Sequence, residues 1–109
     1  MNSEPVNMLV VLTTTSNLED AETLAKQIIS EKLAACVQIL PQMASIYFWE
    51  GKLEKETEHL LLIKTLPEKF GKLEAFLLHN HQYIVPEIVA LPAERVSESY
   101  LEWMTNYLR

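Results

Sequence analysis

The sequence predicts an α+β fold of the split βαβ kind, and three observations predict it. Short β-branched apolar runs alternate with stretches whose apolar residues recur every three or four positions. A Gly-containing turn at Glu50–Lys52 joins two strand-like stretches directly, and a last helical pattern follows the final strand signal. The implied order is β-α-β-β-α-β plus a C-terminal helix.

Met8 to Leu12 is a continuous apolar run followed by three threonines, which suits a strand covered on both faces near residues 6–14. Ser16 and Glu19 then have the spacing of a capping box, and Ala21, Leu24, Ala25, Ile28 and Ile29 form one apolar helical stripe. This predicts a first helix over about 17–33. The run from Leu33 to Leu40 reads as a second strand, and Pro41, with no N–H to donate, should bend or interrupt it.

Ser45 to Trp49 and Leu53 to Thr65 are the two arms of a long hairpin, with Gly51 free to take a positive φ between them. Thr65 to Glu68 again has capping-box spacing, with Pro67 at a first-turn position, and Phe70, Leu73, Phe76 and Leu77 supply the stripe of a second helix over about 67–80. Ile84, Val85 and the run Ile88 to Leu91 predict a short strand bounded by Pro86 and Pro92. Tyr100, Leu101, Met104 and Leu108 complete an amphipathic last helix. This order is the ferredoxin-like pattern, in which helices cover one face of a mainly antiparallel sheet and leave the other for a further partner.

With 109 residues, 49% of them hydrophobic and 22% charged, the chain can bury one core and not two, so residues 1–109 are read as one domain. A net charge of −6 repels phosphate backbones and anionic lipid, which argues against a nucleic-acid or membrane partner. No apolar run approaches the roughly 20 residues of a membrane span, and the opening residues lack a basic leader, so a cytoplasmic location is expected. A single cysteine excludes an internal disulfide or an all-cysteine zinc site. With two glycines and no nucleophile set beside a base, the sequence spells no catalytic constellation and no phosphate loop, so neither an enzyme nor an organic cofactor is expected.

Five blocks in order carry a family resemblance: Leu33 to Val37, Ser45 to Lys52, Leu62 to Thr65, His81 to Ile88 and Tyr100 to Trp103. Together they resemble the CutA cation-tolerance family. That resemblance implies a homotrimer and a role in tolerance to divalent cations, copper above all. The chain departs from the family pattern at Gln82 and Ile84, where Pro and Glu are usual, and at Thr13 and Asn80, where some bacterial members carry Cys and His. Of a copper site built there, His81 is the matching ligand left.

Taken from the residues themselves, His81 offers an imidazole suited to copper or another divalent cation, joined by His79 if that segment is extended, and Cys36 offers a thiolate. Cys36 in an apolar strand equally suits a small buried hydrophobe, and His79 a helix C-terminus. Glu54, Glu56 and Glu58 alternate along one strand and should share a face, as cation attractors or as a solvated edge. Tyr47 and Trp49 at the hairpin end, with Trp103 in the last helix, suit subunit contact. Lys64, Tyr83 and Glu87 are expected to line an intersubunit cleft, with Lys64 open to an anion or paired to Glu87. The alternative to cation binding is a trimeric signalling or scaffold protein that takes a small anion or a partner protein in such clefts.

Overall fold

A computed structural model of the chain describes residues 6–109. Strands β1 (Leu9–Thr15), β2 (Cys36–Ile39), β4 (Lys52–Thr65) and β5 (Val89–Pro92) form one antiparallel sheet in the order β2-β4-β1-β5, and β3 (Met43–Trp49) pairs with the outer half of β4. Helices α1 (Leu18–Ser30), α2 (Phe70–Asn80) and α3 (Glu98–Leu108) complete the fold. This is the predicted split βαβ topology, since β4 lies between β1 and β2 and runs antiparallel to both.

The sheet is sorted by its two-residue period. Val11, Leu61 and Ile63 point to one side, where Ala21, Leu24 and Ile28 of α1 and Leu73 and Leu77 of α2 bury them. The other side is covered in part by α3, whose Met104 and Leu108 pack with Met8, Ala35 and Leu66. Sequence periodicity left that second face wholly open; the last helix in fact closes one end of it, and the Ala93 N–H bonded to the Met8 carbonyl at 2.9 Å holds the connection leading to it.

Local chemistry explains where the elements start and stop. The cap of α1 is Asn17 and not Ser16: its Oδ1 accepts the Asp20 N–H at 2.8 Å, while the Thr15 hydroxyl donates to the Asn17 carbonyl at 2.9 Å. The helix ends at Ser30, three residues before the predicted end, because Lys32 takes φ 56° and turns the chain into Leu33. Pro67 opens a 3-10 turn (Pro67–Lys69) before α2 as its position required, yet Thr65 does not cap it. Its buried hydroxyl donates instead to the Leu33 carbonyl at 2.7 Å, which ties β4 to the end of the first helix connection. The predicted strand at 84–91 is shorter than expected: only Val89–Pro92 pairs, and Ile84 and Val85 lie outside any ladder and in solvent.

Pro41 separates β2 from β3, as expected, and both lie along β4, so one 14-residue strand, which also pairs with β1, serves three ladders. Its inner half is sandwiched between β1 and β2; its outer half carries β3 as a two-stranded arm. The arm closes on a two-residue loop in which Glu50 and Gly51 have φ of 49° and 79°, the left-handed pair that matches strand twist. Glu50 therefore holds a conformation that disfavours most side chains. Replacing it with Asn should raise the unfolding free energy by a few tenths of a kcal/mol, whereas Gly51→Val should lower it by about 1–2 kcal/mol, both read from denaturant melts.

Candidate functional site

Where the arm leaves the sheet, it overhangs the segment 81–88 that connects α2 to β5, and the two enclose an open groove of about 800 Å³. Alternation along the hairpin decides what the groove sees. Tyr47 lies opposite Glu54, Ser45 opposite Glu56, Met43 opposite Glu58 and Trp49 opposite Lys52, so the two aromatic rings share a face with three carboxylates and, at the hairpin end, one ammonium. The expected common face for Glu54, Glu56 and Glu58 is therefore present. Tyr83 and Glu87 complete the far wall, and no Lys or Arg is among the lining residues.

Glu58 sits at the junction of arm and sheet and is only 7% exposed. The Tyr83 hydroxyl donates to its Oε2 at 2.8 Å. Burial alone would push this carboxyl up, but hydrogen bonds from Ser45, Tyr83 and Thr14 outweigh it and hold it below the usual glutamate range. The Tyr83 phenol is pushed well up, first by burial and then by its bond to the Glu58 carboxylate. Tyr47 is raised as well, by burial and then by the charges of Glu56, Glu58 and Glu54, so both phenols keep their protons at neutral pH.

His81 anchors the same wall from below. Its Nε2 lies 2.6 Å from the Thr14 carbonyl and its Nδ1 accepts the Tyr83 N–H at 3.0 Å. A carbonyl can only accept and an amide N–H only donate, so the ring is the neutral tautomer with its proton on Nε2. Its plane meets the Tyr83 ring at 4.8 Å between centroids. Behind it, a smaller polar pocket of about 250 Å³ lies between Thr15, Asp20 and Gln27 on one side and His81 and Gln82 on the other.

The expected site residues thus divide. Tyr47, Trp49, Tyr83 and Glu87 come together in the groove. Lys64 and Trp103 do not: the Lys64 ammonium stands over the Tyr100 ring at 5.5 Å, and Tyr100 and Trp103 stack at 5.6 Å at the far end of the sheet. The expected Lys64–Glu87 pair is not formed; the one ion pair among the described residues joins Arg109 to Glu68. Glu58 was visible only as one of three alternating acids, and its burial follows from a long-range contact with Tyr83, 25 residues away, that no local pattern announces.

The fit to a resident metal is poor within one chain. Both His81 nitrogens are engaged, and His79 is in the last turn of α2, as a helix-terminal residue, with no extended pairing to His81. Cys36 is opposite Lys64 in the ladder, four residues along and two strands across from Thr14, about 16 Å away by strand geometry. Among the described residues no three of His, Cys, Asp or Glu converge on one point.

A ferredoxin-like sheet with a projecting hairpin over a groove defines the structural class. The CutA1 divalent ion tolerance model matches residues 9–107, and the chain belongs to that family. It is 46% identical over 95 residues to a divalent-cation tolerance protein CutA of Thermus thermophilus, covering 87% of this chain and 92% of the relative. It is 44% identical to a chloroplastic CutA of Arabidopsis thaliana over 99% of its own length, and spans about 59% of that plant protein. The crystal structure of CutA1 from Oryza sativa superposes with a TM-score of 0.91 at 46% identity, covering 95% of each chain. CutA from Synechococcus elongatus gives 0.92 at 33% identity, over 97% of this chain and 94% of that one.

The Glu58–Tyr83 bond should be measurable. Because the folded carboxyl titrates below its unfolded value near 4.3, its contribution is present above that pH and lost as pH falls through the folded value. Tyr83→Phe should cost about 1–2 kcal/mol at neutral pH and flatten the fall in stability below pH 4, followed by urea melts across pH.

Proposed function

We propose that this chain is a homotrimeric divalent-cation tolerance protein whose intersubunit clefts take copper or another divalent cation, and that it is not an enzyme. The observation that carries the assembly is the outer face of the hairpin. Ile46, Phe48 and Leu53 are 66%, 71% and 75% exposed there and lie on one side of the ladder, and Ile84 and Val85 stand exposed on the neighbouring segment. Such a surface is unfavourable in water and of the composition that subunit contacts bury.

The cation reading rests on family membership and on the acid-lined groove. With no closed set of ligands in one chain, binding is weak or shared between chains, His81 or Cys36 serving only where a neighbour supplies the remaining donors. A small anion finds less support, since Lys64 is outside the groove and the groove carries acids without a base. A cytoplasmic setting is part of the proposal. No helix among the described residues is long and apolar enough to cross a membrane, while the plant relatives are named chloroplastic and an Archaeoglobus fulgidus structure periplasmic.

Sedimentation should give a trimer mass, with a thermal midpoint that rises with protein concentration, and Phe48→Glu should lower the mass. A monomer mass unaffected by Phe48→Glu would remove the assembly claim. In copper titrations against a competing chelator, saturable binding weakened by Glu87→Gln supports the cleft. Binding abolished only by His81→Ala or Cys36→Ser would place the ion on the soft donors instead, and no binding above the chelator background would end the metal reading.

A further inference from the structure

Among the described strands, β3 combines a free edge with a long charge-free sequence. It pairs with β4 along one edge, and no strand among the described residues lies along the other. Its seven residues, Met43–Trp49, include no charge, no proline and no glycine, and Ile46, Tyr47, Phe48 and Trp49 are four strong β-formers in a row. All four are exposed, Ile46 and Phe48 on the outer face of the arm and Tyr47 and Trp49 on the groove face. Sheets commonly guard such an edge with lysine, proline or a bulge. β3 has neither residue, and its register runs unbroken from Met43 opposite Glu58 to Trp49 opposite Lys52.

The remaining strands are protected. The outer half of β4 also has an edge without a strand, but it carries Lys52, Glu54, Lys55, Glu56 and Glu58, which would meet like on like if copies of that strand were stacked in register. β1 is free of charge but flanked by β4 and β5, while β2 and β5 are four residues long, one followed closely by Pro41 and the other ending in Pro92. Stacked copies of β3 instead put isoleucine on isoleucine and ring on ring, with no repulsion. We infer that β3 is a self-recognition segment: in a chain without its neighbours, Met43–Trp49 pairs along its free edge with Met43–Trp49 of a second copy and propagates a cross-β stack. The subunit contact proposed above covers the same residues, so assembly holds the segment in check. The inference concerns the chain that has lost its partners or not yet found them, and it stands or falls apart from the number of subunits.

The test agitates the full chain in urea just below its unfolding midpoint, where subunit contacts are weakest, and follows thioflavin fluorescence; hydrogen exchange of the product, read by mass spectrometry, locates the protected core. The unaltered chain should give fibrils whose core includes residues 43–49. Ile46→Glu places a carboxylate opposite Lys55, which keeps the arm's own ladder favourable while giving β3 the charge it lacks, and should lengthen the lag by about tenfold or more. Leu78→Glu, the same change at an exposed leucine of α2, should leave the lag unchanged. No fibrils from the unaltered chain, equal lags for the two variants, or a protected core that leaves out residues 43–49 would each overturn the inference. Sedimentation of the same samples before urea is added decides the trimer reading separately.

Discussion

The architecture depends on one strand belonging to three ladders. β4 must be straight and long enough to pair with β1 and β2 through its inner half and with β3 through its outer half, so any slip in its register would move both the core and the arm. Pro41 makes this possible. By interrupting the facing strand it lets β2 stay in the sheet while β3 leaves with the arm, both still antiparallel to the same partner. The sheet edge and the groove are two ends of one continuous backbone.

Glu58 marks the point where that strand passes from core to arm, and the polar groups around it act as a hinge pin. A buried carboxylate without partners would be strongly unfavourable there, and Tyr83 and its neighbours offset that by donating hydrogen bonds. Because Tyr83 is tied in turn to His81, and His81 to Thr14 at the end of β1, the wall of the groove is fastened to the sheet at both ends. An imidazole committed in this way is a structural brace first. The acids farther out, Glu54 and Glu56, have no such partners and set the field of the cleft.

Most of the fold was legible because it is written in short-range patterns. Periodicity in Ala21, Leu24 and Ile28 located α1, Gly51 located the hairpin, and Pro41 located the break. The errors fall where distant parts of the chain compete with local signals. Thr65 matched a cap but is drawn off by the Leu33 carbonyl, and Ile84 and Val85 have strand propensity but no neighbouring strand to pair with. The candidate site was legible by residue type and less so by grouping. Lys64 and Glu87 are both polar members of recognisable blocks, yet the sheet puts them on different elements at different ends, which one-dimensional spacing does not encode.

The hairpin also sets the order in which the chain can assemble. Its pairs begin at Trp49 and Lys52 and widen outward through neighbours in sequence, whereas β1 must find partners on β4 more than forty residues away. Local ladders close in microseconds, and distant ones wait on loop closure. The arm can therefore form first and lay out β4 as a template, its register fixed by the Glu50–Gly51 loop before either outer neighbour arrives. A turn at the tip of the molecule, far from the core, sets the register of the strand on which the core is built.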